Sequence, residues 1–134
     1  MKRFLSIFLL VLCDMQAADP MEVDWERPLL QVNRVELASG YFLYTISMQE
    51  GQRELGKVQF KFYDAIKQPK SSEIDYIIIS EHVRNEGKGE VLLKAALDMM
   101  KNLHCSVVKA NIDSNNMYSL HLFEKNGFRK DGPV

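Results

Sequence analysis

Two spacings of apolar residues divide the chain. In "GKVQFKFYD" the residues Val58, Phe60 and Phe62 alternate with polar ones, which reads as a strand with one buried face. Ahead of it, "YFLYTISMQ" (Tyr41–Gln49) is rich in aromatic and β-branched residues, and "EGQREL" turns the first run into the second, so the two predict a hairpin. "AIKQPKSS" then supplies a Pro-containing loop, after which "EIDYIIIS" (Glu73–Ser80) is more continuously apolar, as suits a strand in the middle of a sheet. An earlier strand is expected around "LLQVNRVEL". From Glu90 to Leu103 the period changes. Leu92, Ala95, Ala96, Met99 and Leu103 recur at helical spacing, with Lys94, Asp98 and Lys101 on another face. "SVVKANI" is the next strand, and Ser114, Asn115 and Asn116 offer N-caps for a second helix, "MYSLHLFEKN", stopped by Gly127. Strands, helix, strand, helix in this order predict a mixed sheet with helices packed on it, α/β or α+β in class.

Composition narrows this picture to one domain with one core, since the chain has 134 residues of which 46% are hydrophobic. A formal net charge of −1 and the lack of a long basic block leave no electrostatic footprint for a polyanion, so nucleic acid is not an expected partner. The N-terminus obeys a different pattern. Lys2 and Arg3 precede "FLSIFLLVL" (Phe4–Leu12), a run too short to cross a bilayer as a helix but of the length of a secretory signal's apolar region, and Ala17 and Ala18 follow. Residues 1–17 are therefore expected to be a signal-peptide-like segment that directs export, with residues 24–134 as the functional domain. The alternative is a cytoplasmic protein that retains the segment. Bulky Leu12 before Cys13 disfavours lipidation. Cys105 beside "SVVKA" reads as a small buried hydrophobe rather than a nucleophile. His104 and His121 lack metal-ligand spacing, so no metal site is expected.

The chemistry concentrates at "RNEGKGEVLL" (Arg84–Leu93), where a strand gives way to a helix through two glycines. Such a turn presents unpaired backbone N–H groups at the positive end of the helix dipole, which suits a phosphate or pyrophosphate. Gly87 and Gly89 carry no Cβ and let an anion approach the backbone, while Arg84 and Lys88 add charged donors. Two common phosphate loops are excluded: no G-K-[ST] triplet is present, and Leu92 occupies the place of a third dinucleotide-loop glycine. Asp113 could imitate a ribose-binding acid, but the strand before the glycines follows a hairpin and does not open a βαβ unit.

These residues resemble the GNAT superfamily of acyl-CoA-dependent N-acetyltransferases. Arg84, Asn85, Glu86, Gly87, Lys88 and Gly89 match its Q/R-x-x-G-x-G/A loop, and "NMYSLHLFEKNGF" (Asn116–Phe128) is similar to its N-x-x-A-x-x-L-Y-x-x-x-G-F segment, with Ser119 in place of Ala and Phe123 in place of Tyr. The resemblance covers Glu73 to Phe128 specifically and residues 24–72 only in strand pattern. It implies a GNAT-like, mainly antiparallel mixed sheet and acetyl-CoA as co-substrate. It also implies that Ile77, Ile78 and Ile79 offer backbone groups to the pantetheine arm, that the loop holds the pyrophosphate, that Asn116 contacts the coenzyme and that Phe123 lies near its sulfur end.

The implied reaction is attack of a neutral amine on the thioester, with the protein supplying proximity, a base for the ammonium proton and sometimes an acid for the thiolate. The resemblance places Glu73 as the base, with Glu81 and His82 as alternatives, and Tyr118 as a substitute for the phenol that Phe123 lacks. Few residues follow Phe128, whereas GNAT domains usually continue through one or two strands that build the acceptor side. Two functions follow: transfer of an acetyl group from acetyl-CoA to an amine acceptor, a small molecule or a protein, or a non-catalytic GNAT-like domain that binds acyl-CoA or a protein partner.

Overall fold

The computed structural model describes residues 6–11, 29–64 and 69–130. One seven-stranded sheet organises them. Its strands are β1 (Ser6–Val11), β2 (Leu29–Ala38), β3 (Tyr41–Glu50), β4 (Arg53–Tyr63), β5 (Ser71–Ile79), β6 (Val107–Ile112) and β7 (Arg129–Lys130), joined by helices α1 (Lys88–Asn102) and α2 (Met117–Lys125). Spatial order is β2-β3-β4-β5-β6-β1-β7. β2 to β5 form an antiparallel meander. β5 and β6 are parallel, and the crossover through α1 supplies the long connection that parallel neighbours need.

Alternation selects the face that is buried. Tyr44, Ile46 and Met48 of β3, Val58, Phe60 and Phe62 of β4, Ile74 of β5, and Val108, Ala110 and Ile112 of β6 all point into one core. α1 packs across β3, β4 and β5 and closes that core with Leu92, Leu93, Ala96 and Met100. The helical stripe is thus rotated slightly from the expected one: Ala95, Met99 and Leu103 lie at its margin, only partly buried. The other face carries polar side chains. Lys61 pairs with Asp75 at 3.5 Å, Gln59 Nε2 donates to Asp75 at 3.1 Å, and the Tyr76 hydroxyl donates to Gln59 Oε1 at 2.8 Å. Asp75 draws the Lys61 pKa above its ordinary value.

The hairpin, the central strand, both helices and the mixed sheet agree with the expectations. α1 starts two residues earlier than its periodicity alone indicates, at Lys88 rather than Glu90, because Gly87 is already its N-cap. Ser6–Val11 of the N-terminal apolar run enters the fold as a strand. β1 pairs antiparallel with β6 along its whole length, Ser6 opposite Ile112 through Val11 opposite Val107, and on its other edge with β7. Lys2, Arg3, Cys13 and the cleavage site expected near Ala17 and Ala18 lie outside the described residues. Among the described residues no helix is long and apolar enough to cross a membrane.

Candidate functional site

The sheet opens where β5 leaves β6. The two strands pair only from Ser71 opposite Val107 to Ile74 opposite Ala110, whereas Tyr76 to Ile79 continue to pair with β4 on the other edge. Asp75 sits at the irregularity between these two registers. Beyond it the β6-facing backbone groups of Ile77, Ile78 and Ile79 have left the β6 ladder and are open to another partner.

A cavity of about 450 Å³ lies at this opening. Its walls are Ile77, Ile78 and Ile79 from β5, Val83, Arg84 and Asn85 from the following turn, Lys88 and Gly89 from the start of α1, and Asn116, Tyr118, Ser119 and Leu122 from the start of α2. Two helix N-termini therefore converge on one space. α1 begins at Gly87, whose φ of 78° is left-handed and whose lack of a side chain leaves the first-turn N–H groups without a side-chain cap. Asn85 is also left-handed, at φ 66°, a conformation that Asn adopts more readily than most residues. The Arg84 Nε–H donates to the Ile79 carbonyl at 3.2 Å, which anchors the guanidinium between the end of β5 and the cavity.

Gly89 has a different reason to be glycine. A Cβ there would stand 2.8 Å from the Tyr118 hydroxyl, so the ring of α2 leans over the α1 N-terminus in the space that a side chain would take. Asn116 caps α2 through its Oδ1, which accepts from the Ser119 N–H at 3.1 Å. Its Nδ2 donors are then the part of the side chain left to serve the cavity. The two helices are tied together by Glu90, whose carboxylate meets Lys125 at 2.8 Å and Lys94 at 3.0 Å. These lysines hold its pKa below the usual carboxylate range.

This lining fits a pyrophosphate on a thioester-bearing arm. Its charged side chains, Arg84 and Lys88, are both cationic, and its neutral polar ones, Asn85, Asn116, Tyr118 and Ser119, all carry N–H or O–H donors. Among the described residues no carboxylate lines it. A helix N-terminus with backbone N–H groups adds to the same sign, and the apolar isoleucines continue the space away from it.

Of the sequence-predicted residues, Ile77, Ile78, Ile79, Arg84, Asn85, Lys88, Gly89, Asn116 and Tyr118 meet at the cavity. Gly87 shapes the turn as N-cap, and Glu86 is an exposed turn residue that does not line the space. Phe123 is placed differently from the expectation. It is buried in the core edge-to-face with Phe128, ring centroids 4.9 Å apart, and does not reach the cavity wall. Glu73 is also displaced: it borders a second, open pocket with Tyr63, Ser71, Val107 and Lys109, and accepts from Asn111 Nδ2 at 3.0 Å. It lies four positions before Ile77, about 13 Å back along the strand at ~3.3 Å per residue. Glu81 and His82 are exposed in a 3₁₀ turn and do not line the cavity. Sequence reasoning missed Val83, Ser119 and Leu122 as wall residues. Ser119 stands where the family segment carries alanine.

A family model, the acetyltransferase (GNAT) family, matches residues 6–128. The chain belongs to that family. YwnH of Bacillus subtilis (strain 168), which bears the name of a phosphinothricin acetyltransferase, is 34% identical over 110 residues, covering 78% of this chain and 66% of YwnH. Among solved structures, a transcriptional regulator from Bacillus halodurans C-125 superposes with a TM-score of 0.62 at 20% identity, over 73% of this chain and 65% of that one. The NatC complex bound to Gag peptide and CoA gives 0.57 at 20% identity, over 65% of this chain and 57% of that one. At such identities the structural likenesses show the fold alone. The chain spans less than two-thirds of the length of each of these relatives. The GNAT match begins within β1 and ends at Phe128, so the N-terminal strand lies inside the family's span.

Proposed function

We propose that the protein transfers an acetyl group from acetyl-CoA to an amine acceptor at the opening between β5 and β6. The observation that carries this reading is the convergence of an uncapped α1 N-terminus, Arg84, Lys88 and the unpaired edge of Ile77–Ile79 on one cavity, in a chain of the GNAT family. Acetyl-CoA, when bound, supplies an activated thioester. The chain's own residues then do three things. The loop N–H groups and the cations Arg84 and Lys88 hold the diphosphate, the free edge of β5 aligns the arm, and the Asn116 amide fixes its depth. Such positioning replaces a bimolecular encounter by a near-intramolecular one, which is where most of the rate gain of an amine–thioester reaction arises.

A non-catalytic acyl-CoA-binding reading is favoured by one observation: among the described residues no carboxylate or imidazole lines the cavity. A proton leaving the amine therefore passes to solvent, with Glu73 remote from the cavity wall, and the Tyr118 hydroxyl is the donor that can return a proton to the leaving thiolate. A thiol-release assay with acetyl-CoA and a panel of amines, from arylamines and amino acids to peptide N-termini, separates the two. Amine-dependent release above the rate without protein supports transfer; tight acetyl-CoA binding with no release for any amine supports the binding module.

We infer also that the N-terminal segment is retained and that the protein works where acetyl-CoA is available, the cytoplasmic alternative to export. The pairing of β1 with both β6 and β7 supports this. Intact-mass measurement of the protein from its native source is expected to find residues 6–11 present; a mature form beginning after Ala17 contradicts it.

A further inference from the structure

The open edge of the sheet has no role in the cavity. All ten residues of β2 are exposed, although Leu29, Leu30, Val32, Val35 and Leu37 are large and apolar, with exposures of 37–73%. Register shows why. Leu30 and Val32 stand opposite Met48 and Ile46, on the face that α1 covers over β3 to β5, but that cover does not extend to β2. One backbone edge of β2 is bonded to β3, and among the described residues no strand bonds to the other. A long, apolar strand edge of this kind is a template for another strand.

We propose that this edge joins two copies of the chain: β2 adds antiparallel to β2 of a second copy about a two-fold axis through Val35, perpendicular to the sheet. Charge complementarity selects both the occupant and the register. With Val35 on the axis, Arg34 of each copy faces Glu36 of the other, so one contact pairs opposite charges twice. Val35 meets Val35, and Asn33 faces Leu37 at the irregularity of β2, where the continuous register ends. Shifting the axis to Arg34 sets arginine against arginine, and shifting it to Glu36 sets glutamate against glutamate. Shifting it to Asn33 leaves Arg34 opposite Val32 and Glu36 opposite Leu30. Directly opposed like charges are destabilising and opposite charges favourable across an antiparallel pair. An isologous contact makes each such term count twice.

The geometry of one copy prepares this arrangement. The Arg34 guanidinium lies over the Phe42 ring, 5.3 Å from its centroid, on the face it shares with Glu36, which is the register partner of Phe42. The irregularity of β2 against β3 falls between Glu36 and Ala38, at the margin of the charged pairs. The resulting dimer has a continuous sheet with both α1 helices on the same side and both acetyl-CoA cavities on strands remote from the axis.

Sedimentation velocity of the full chain across a concentration series tests it, with circular dichroism of every variant as a check of folding. The wild type is expected to show a concentration-dependent dimer. Arg34→Glu and Glu36→Arg should each weaken association by about tenfold or more through opposed like charges, and the double reversal R34E/E36R should restore it to near wild-type strength. Three results overturn the proposal: a wild type that stays monomeric at all concentrations, a dimer indifferent to both single reversals, or a double reversal that does not restore it. Hydrogen exchange on the same samples adds a fourth. Slow exchange of the β2 amides in a monomeric wild type shows the edge covered by the chain's own residues 12–28, not by a second copy.

Discussion

The Tyr118 hydroxyl occupies the place where a side chain on Gly89 would begin, and this single contact separates two glycines that look alike in the sequence. At Gly87 a Cβ meets nothing within 4 Å, but φ is +78°, so Gly87→Ala costs backbone strain of roughly 1–2 kcal/mol and Gly87→Asn less. At Gly89 the backbone is unstrained and the obstacle is the tip of a side chain that can swing away. Gly89→Ala is therefore expected to keep the melting temperature within a few degrees while displacing Tyr118 and weakening acetyl-CoA binding. Thermal melts and titrations of both variants check this; a Gly89→Ala protein with wild-type affinity would show that Tyr118 does not close on the ligand. The loop residues were legible in the sequence because the need for missing Cβ atoms is written in glycine itself. The position of Phe123 was not, because a core aromatic and a cavity aromatic occupy the same helical phase and only the packing of Phe128 decides between them. Cys105 kept its expected role. It is buried against Ser72 Oγ at 3.1 Å, and burial pushes its thiol pKa up, so it should resist alkylation at neutral pH until the protein unfolds.

Between elements, Glu90 is the link from α1 to α2, joining the first turn of α1 to Lys125 in the last turn of α2. Its folded pKa is depressed by Lys125 and Lys94, so its contribution to stability is present above the ordinary carboxylate range and is lost as pH falls through the lowered folded value. Glu90→Gln is expected to lower the melting temperature modestly at neutral pH and to match the wild type in acid, once both carry a neutral side chain. A pH series of thermal melts reads this difference; a gap that persists unchanged in acid would assign the effect to packing. The elements themselves were mostly legible, since periods of two and 3.6 fix which face each one buries. β1 was the exception. An apolar run of that length satisfies a signal and a strand equally, and its partners β6 and β7 lie at the far end of the chain, where local pattern carries no information.

At the scale of the molecule, β1 makes the two ends of the chain one structure. β7 bonds to β1, and β1 fills the edge of β6 over six register pairs. Deleting residues 1–17 is therefore expected to cost roughly 3–6 kcal/mol from lost strand hydrogen bonds alone and to broaden or abolish the thermal transition. An unaltered melt would mean that β1 is dispensable. The central claim, that the loop at the start of α1 holds the diphosphate of acetyl-CoA, is reached most directly by calorimetric titration of acetyl-CoA into the full chain, Arg84→Ala and Gly89→Val at low and high salt. The account predicts saturable binding by the wild type. It predicts a loss of about tenfold to a hundredfold in Arg84→Ala that shrinks at high salt as the ionic contact is screened, and a loss in Gly89→Val that persists at both. Equal affinity in all three proteins, each with a native circular dichroism spectrum, would contradict it.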